Sequence, residues 1–91
     1  MTIPKFPLGR TLMTPGARDA LADVGELLAL FDRHQAGDWG EVDEHGRQEN
    51  ELSLREGFRL MSVYTLPNGV KLWVITEADR SATTALLPEE Y

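Results

Sequence analysis

Apolar and polar positions alternate between Phe58 and Pro88, a pattern that predicts a β-hairpin followed by a third strand. The two halves of the hairpin are separated by the tripeptide Pro67-Asn68-Gly69, whose residues favour turns. Proline has no N–H to donate to the closing pair of a two-residue turn. We therefore favour a type I turn in which Gly69 is a left-handed bulge residue. This hairpin is the centre of the predicted fold.

The type I turn fixes the register of the hairpin, because strand side chains alternate between the two faces of a sheet. One face is predicted to carry the pairs Leu66–Val70, Tyr64–Leu72, Ser62–Val74 and Leu60–Thr76. The other face is predicted to carry the pairs Thr65–Lys71, Val63–Trp73, Met61–Ile75 and Arg59–Glu77. Both faces contain apolar residues, so we expect a helix on one of them. The Trp73 face has two alternatives: it is half covered by the chain termini, or it is partly open to a partner.

A second pattern, apolar residues at helical spacing, precedes the hairpin. Thr14 followed by Pro15 is a favoured helix start, because threonine caps free N–H groups and proline fits the first turn. Gly37 is the predicted stop. These signals predict one amphipathic helix over Ala17–His34 that covers one face of the hairpin. Its apolar stripe consists of Ala17, Ala20, Leu21, Val24, Leu27, Leu28 and Phe31.

The remaining segments give weaker signals. Leu8–Met13 fits a short edge strand, and Thr83–Leu87 fits a third antiparallel strand. Asp43 is a candidate cap for a short second helix that ends near Leu54. We therefore predict a single α+β domain over residues 1–91. One main amphipathic helix packs on a small antiparallel sheet of three or four strands, in the order β-α-(α)-β-β-β.

The composition narrows the classes of function. The chain has 91 residues and a net charge of −6. It has no cysteine, so disulfides, thiolate metal sites and thiol nucleophiles are excluded. The negative charge opposes binding to nucleic acid, which we do not expect as a partner. The chain has no apolar run of membrane-spanning length, and its start lacks the apolar core of a signal peptide. We expect a cytoplasmic protein without membrane contact.

The negative charge is concentrated in residues 41–56, where six acidic residues stand against two arginines. Such a run is usually a solvated face, and the alternative is a surface directed at a basic protein partner. Trp39 is expected to plug the edge of the core, with anchoring of a partner as the alternative. On the partner hypothesis, the contact residues are Trp39, Glu41, Asp43, Glu44, Glu49, Glu51 and Trp73.

Residue types that carry chemistry are present without a recognisable motif. His34 and Asp38 are four residues apart, but Gly37 and Gly40 are expected to break the helix that would align them. We therefore predict no metal site and no cofactor. A solvated or helix-capping role is expected for His34, and a general base is the alternative. Ser62 interrupts an apolar face of the hairpin, which fits close approach of the helix.

Four strings along the chain resemble a family of short proteins from bacterial plasmids and mobile elements that are described as plasmid-related. They are LGRTLMTPGA, RHQAGDWG, ENELSLREGFRLMSVY and KLWVITEADRSATTALLPEEY, and together they cover nearly the whole chain. This resemblance implies a genomic setting and no mechanism. On that setting, we hypothesise a small acidic accessory protein that binds a protein partner without catalysis and interferes with a host defence system.

A helix followed by a small antiparallel sheet is also similar to the compact nucleases of the barnase/RelE-like superfamily. This similarity implies a small RNase or related nuclease in which His34 acts as the base and Arg80 stabilises the transition state. Phosphate would be bound by Ser62, Tyr64 or Thr84. The acidic charge and the missing motifs make the nuclease the alternative hypothesis. An exposed sheet edge would in addition allow a homodimer.

Overall fold

Four strands form one sheet in the computed structural model, which describes residues 3–91. In chain order they are β1 (Arg10–Met13), β2 (Leu60–Thr65), β3 (Lys71–Thr76) and β4 (Ala82–Leu86). The strand order across the sheet is β1-β4-β3-β2. The α+β class is confirmed, but the prediction of an antiparallel sheet is wrong at one pair, because β1 runs parallel to β4. A parallel pair needs a long crossover, and residues 14–81 provide it.

The predicted register of the hairpin is confirmed from Leu60–Thr76 through Thr65–Lys71. The Leu66 N–H donates to the Val70 carbonyl and the Gly69 N–H donates to the Leu66 carbonyl, both at 2.8 Å. Gly69 has a φ of 86°, as its predicted role in the bulge requires. The predicted Arg59–Glu77 cross-strand pair lies outside the observed ladder. The Arg59 guanidinium lies over the ring of Tyr91 instead, 5.2 Å from its centroid.

Within the described residues, the helices are α1 (Pro15–Ala20), α2 (Val24–Gln35) and α3 (Glu44–Glu56), and a 3-10 turn follows at Pro88–Glu90. Thr14 caps α1 as predicted, because its hydroxyl accepts from the Ala17 N–H at 3.2 Å. Asp43 likewise caps α3, by accepting from the Gly46 N–H at 2.7 Å. Both helix starts therefore follow from local sequence signals.

The prediction of one continuous helix over Ala17–His34 is wrong, because Leu21–Asp23 separates α1 from α2. Asp23 takes an extended conformation and accepts from the Glu26 N–H at 2.9 Å, which starts a new helix. Two residues of the predicted apolar stripe are exposed as a result, Val24 by 66% and Leu28 by 54%.

The two faces of the sheet have different neighbours. The inner face, against α1 and α2, carries the buried side chains of Leu60, Ser62, Tyr64, Leu72, Val74, Thr76, Thr83 and Ala85. The outer face carries Leu12, Met61, Val63, Trp73, Ile75, Thr84 and Leu86. Leu27, Leu30 and Phe31 pack on the inner face in one cluster, and Phe6 and Trp39 pack around Leu60 in a second.

The outer edge of β2 is covered by side-chain and loop contacts. The Asn50 side chain, on α3, accepts from the Met61 N–H at 3.0 Å and donates to the Met61 carbonyl at 2.8 Å. One pair further along, the Val63 N–H donates to the Trp39 carbonyl at 3.1 Å, and the Val63 carbonyl accepts from the Glu41 N–H at 2.7 Å. The strand therefore presents few free backbone groups to a new strand.

Among the described residues, no helix has both the length and the apolar character needed to cross a membrane.

Candidate functional site

His34 is fully buried between α2 and the inner face of the sheet. Its Nδ1 lies 2.6 Å from the Ser62 hydroxyl, and its Nε2 lies 2.9 Å from the Thr76 hydroxyl. The rings of Phe6 and Trp39 pack against the imidazole, with centroids 5.2 and 5.6 Å from its own. The predicted solvated or helix-capping role of His34 is therefore wrong, and the residue is part of the core.

The hydroxyl groups around His34 determine its tautomer. Thr83 donates its single hydroxyl proton to the Leu8 carbonyl at 2.8 Å, so Thr76 must be the donor in its 2.7 Å contact with Thr83. The Thr76 oxygen then accepts from Nε2–H of His34, and Nδ1 accepts from Ser62. Each group thus donates to the next in the order Ser62, His34, Thr76, Thr83 and the Leu8 carbonyl. In this arrangement the imidazole of His34 is neutral.

The charged form of His34 is disfavoured. Burial, and secondarily the positive charge of Arg80, lower the pKa of His34 to about 4. A proton on Nδ1 would also point at the Ser62 hydroxyl, which already donates to that nitrogen. A general base must come within hydrogen-bond reach of its substrate, whereas the exposed fraction of His34 is 0%.

Of the other residues in the nuclease hypothesis, only Ser62 contacts His34. Tyr64 is buried on the inner face, where its hydroxyl donates to the Asp38 carbonyl at 2.6 Å. Burial raises the pKa of Tyr64 to about 12, so the phenol stays protonated. Thr84 lies on the outer face, on the far side of the sheet from His34. These hydroxyls do not form one phosphate-binding pocket.

Arg80 holds together three segments of backbone. Its guanidinium donates to the carbonyls of Ser53 at 2.9 Å and Phe58 at 2.6 Å, at the end of α3 and just after it. It also donates to the carbonyls of Glu77 and Ala78 at 3.1 Å, in the β3–β4 turn. Arg80 itself has a φ of 62°, a left-handed conformation that these contacts hold in place. These hydrogen bonds stabilise the fold, and they occupy donors that a phosphate group would need.

Trp39 is buried at the edge of the core, as predicted. Only 4% of the residue is exposed, and its ring stacks on Phe6 with centroids 6.3 Å apart. The indole N–H donates to the Glu51 carboxylate at 3.0 Å, so the polar end of the ring is also satisfied. A partner cannot reach this ring unless the loop between α2 and α3 opens.

Most acidic residues of the predicted partner surface have a local partner. Glu41 accepts from Lys71 at 2.6 Å, and this hydrogen bond lowers the pKa of Glu41. Glu44 accepts from Arg47 at 2.9 Å, and the hydrogen bonds from Arg47 lower the pKa of Glu44 to about 2.

The other three acidic residues of the predicted partner surface differ in their contacts. Glu49 is exposed and lies 3.7 Å from His45, and the two form an ion pair only when that histidine is protonated. Asp43 caps α3, and Glu51 is half-buried under Trp39.

The outer face of the sheet carries a half-exposed surface of three apolar residues and one threonine, which we call the open patch: Met61, Val63, Trp73 and Thr84. Neither α1 nor α2 covers it, because both pack on the inner face. The ring of Tyr91 meets Trp73 edge-on with centroids 5.6 Å apart, and its hydroxyl accepts from Arg59. Tyr91 thus lies over one end of the open patch while remaining 65% exposed.

The other end of the open patch has a polar border. The Lys71 ammonium donates to Glu41 at 2.6 Å and to the Thr65 hydroxyl at 3.1 Å. All three residues are exposed. Because Val63 and Trp73 form the adjacent cross-strand pair, this ion pair sits directly beside the apolar surface. An apolar centre with a charged border is the arrangement that protein interfaces favour.

A shallow cleft of about 270 Å³ lies between the loop after α2 and the start of α3. Asp38 and Asp43 line it, but Asp38 binds Arg33 at 2.7 Å and Asp43 caps α3. Within residues 3–91, no group of three or more His, Cys, Asp or Glu side chains has the geometry to hold a metal ion. Both aspartates of the cleft thus already have partners within the chain.

Comparisons with protein-family models, with characterised proteins and with solved structures found no match to this chain. The resemblance to plasmid-related proteins therefore stays a prediction.

Sequence reasoning missed several residues on which this arrangement depends. In the sequence, Asn50 is one polar residue in an acidic helix, and nothing nearby indicates that it binds the backbone of β2. Nothing around Tyr91 indicates that it packs on Trp73. The signal for Gly40 was stronger, because a glycine beside a buried tryptophan suggests close backbone approach. A Cβ on Gly40 would lie 2.0 Å from the Val63 carbonyl oxygen.

Proposed function

We propose that this protein is a non-catalytic module that binds a protein partner through the open patch on the outer face of its sheet. One observation carries the proposal: α1 and α2 pack on the inner face, and Met61, Val63 and Trp73 on the outer face remain half-exposed. A large aromatic ring with a tyrosine beside it is the type of surface from which interface hot spots are built.

The charge around the patch supports a partner with basic groups. The solvent side of α3, along the β2 edge, carries exposed Glu49 and Glu56, and the whole chain has a net charge of −6. Charge of this kind accelerates encounter with a positively charged protein and contributes little to the final affinity. On this proposal the apolar patch supplies most of the affinity, and the acidic helix raises the rate of association.

The acidic character and the resemblance to plasmid-related proteins favour an accessory role on a mobile genetic element. In that role the partner is a host or element-encoded protein, and interference with a defence system is the proposed outcome. The nuclease alternative has no observation in its favour, because its proposed base is sealed in the core.

The test compares two positions of a photo-crosslinking amino acid, p-benzoylphenylalanine, in extracts of a bacterial host. Placed at Thr65, which is exposed at the border of the open patch, it should capture one defined protein. Placed at Asp32, which is exposed on α2, it should capture none. Equal capture from both positions, or no capture from position 65 at micromolar protein, would contradict the proposal.

The captured protein then allows the charge contribution to be measured. Glu49→Lys should slow association, with most of the effect lost at high salt, because a rim charge acts mainly on the encounter rate. Asp32→Lys makes the same change in net charge on the helix side and is the matched control. If both variants associate equally slowly, net charge alone acts and α3 has no specific role.

A further inference from the structure

The two edges of the sheet differ in whether other residues cover the backbone groups of the edge strand. The edge at β2 is covered by Asn50 and by the Trp39–Glu41 segment, as described above. The edge at β1 has no such cover among the described residues, and all four residues of β1 are exposed. An uncovered edge strand is a template for pairing with another strand, and proteins usually block such edges.

The hydrogen bonds of β1 identify which backbone groups are free. The Arg10 N–H donates to the Ser81 carbonyl and the Thr14 N–H donates to the Ala85 carbonyl, both at 3.0 Å. In a parallel pair alternate residues face the partner strand, so Arg10, Leu12 and Thr14 face β4. The N–H and C=O groups of Thr11 and Met13 therefore point away from the sheet.

The side chains beside this edge are apolar and exposed. Leu12 is 41% exposed on the outer face, and Met13 is 44% exposed on the side of the helices. Met13 lines a pocket of about 170 Å³ together with Val24, which is 66% exposed. Leu28 lies one turn further along α2 and is 54% exposed. Backbone groups and apolar side chains are thus both uncovered in one region.

We propose that a second copy of this chain pairs with this edge, β1 against β1 in antiparallel orientation, with the two-fold axis at Leu12. This register places Thr11 opposite Met13 of the second copy, and their outward N–H and C=O groups form reciprocal hydrogen bonds. Leu12 then faces Leu12 of the second copy in the closely spaced, non-hydrogen-bonded pair. The result is a single sheet that spans both copies.

Charge complementarity favours a second copy over an unrelated strand. In this register Arg10 lies opposite Thr14 of the second copy. The Thr14 hydroxyl binds Glu90, which also accepts from the Gly16 N–H at 3.1 Å. Each Arg10 is thereby brought next to a fixed carboxylate of the other copy, and the two-fold axis makes this contact twice. Arg10 forms no ion pair within the described residues of its own chain.

The interface is small, because β1 has four residues. We therefore expect a weak dimer, with a dissociation constant on the order of 10–100 μM. This dimer leaves the open patch accessible, so it is independent of the proposed function. Sedimentation velocity over a concentration series that brackets this range should show a monomer–dimer equilibrium. A monomer throughout that series would overturn the proposal.

Single cysteine variants test the register, because the chain has no cysteine of its own. In Leu12→Cys the two Cα atoms lie about 4.5–5.5 Å apart across the axis, which a disulfide can bridge. Oxidised glutathione should convert this variant to a covalent dimer. In Arg10→Cys the two cysteines are separated by roughly 13 Å along the strands, so this matched variant should form no covalent dimer.

The alternative occupants give different results. If Thr11→Cys cross-links faster than Leu12→Cys, the copies pair in another register and the proposal fails. If neither variant forms a covalent dimer while a foreign peptide protects the Thr11 amide from exchange, the edge binds another protein and the proposal fails. Thr11→Pro removes an outward N–H without touching the β1–β4 ladder and should abolish the dimer. Phe58→Glu, on an exposed residue outside β1, should leave it unchanged.

Discussion

The Nε2 atom of His34 lies 2.9 Å from the Thr76 hydroxyl and donates its proton to it. This contact joins α2 to β3 inside the core. In the series of hydrogen bonds from Ser62 to the Leu8 carbonyl, every hydroxyl proton has an acceptor. Among the described residues, no buried side-chain N or O atom lacks a hydrogen-bond partner. A fully satisfied buried network of this kind restricts the core to one arrangement of its elements.

The first prediction concerns the pH dependence of stability. His34 has a pKa of about 4 when folded and an ordinary value of 6.5 when unfolded, so the unfolded chain binds more protons between these values. The free energy of unfolding should therefore rise from pH 4 to 6.5 and then level off, with a contribution from His34 of about 3 kcal/mol. Urea unfolding at several pH values measures it. His34→Gln should remove this component, and His45→Gln, on an exposed histidine, should retain it.

The second prediction concerns the direction of the hydrogen bonds. Long-range ¹H–¹⁵N spectra at neutral pH should show Nε2 of His34 protonated and Nδ1 unprotonated. Thr76→Val leaves Nε2–H without an acceptor and should lower the free energy of unfolding by about 1–3 kcal/mol. Thr84→Val makes the same change on the outer face and should cost much less. The opposite tautomer would show that Thr83 does not donate to Leu8.

The third prediction concerns the close approach of Gly40 to β2. Gly40 has a φ of 72°, and an added Cβ would lie 2.0 Å from the Val63 carbonyl oxygen. Gly40→Ala should therefore destabilise the protein by roughly 3 kcal/mol or more, from a left-handed alanine and a clash together. Gly69→Ala has a similar φ of 86° with open space around it, and should cost about 1 kcal/mol. If the two variants unfold at the same temperature, the clash is relieved by a backbone shift.

The parts of the fold that local chemistry determines could be predicted from the sequence. The turn at Pro67 fixed the hairpin register, and Thr14 and Asp43 marked two helix starts. The break at Asp23 also had a local signal, an acidic cap three residues before Glu26, but the continuous apolar stripe outweighed it.

The pairing of β1 with β4 and the surroundings of His34 depend on contacts between residues far apart in the chain. Ser62, Thr76 and Thr83 come from three different strands, and only their positions in the folded sheet bring them together. Each of these residues is an ordinary strand former in the sequence. The prediction for His34 was wrong for the same reason, because its exposure depends on which segments cover it.

The fourth prediction concerns Asn50, which occupies the place of a neighbouring strand at Met61. Asn50→Asp keeps the acceptor for the Met61 N–H but sets a carboxylate oxygen against the Met61 carbonyl, so it should destabilise the protein by about 1–3 kcal/mol. The loss should shrink as the pH falls and the carboxyl group becomes protonated and able to donate. Gln48→Glu, an amide-to-carboxyl change on an exposed residue of α3, is the control for added charge.

Asn50→Ala should have a further effect that Asn50→Asp lacks, because it uncovers the β2 edge without adding a charge. Loss of this side chain frees the N–H and C=O of Met61, and edge strands with free groups associate. We therefore expect Asn50→Ala to form larger assemblies at concentrations where the parent chain is at most dimeric. Adding Thr11→Pro should block association through β1 and leave that through β2. Light scattering of the double variant distinguishes association through β2 from association through β1. If Asn50→Ala is purely monomeric, the Trp39–Glu41 segment alone protects the β2 edge.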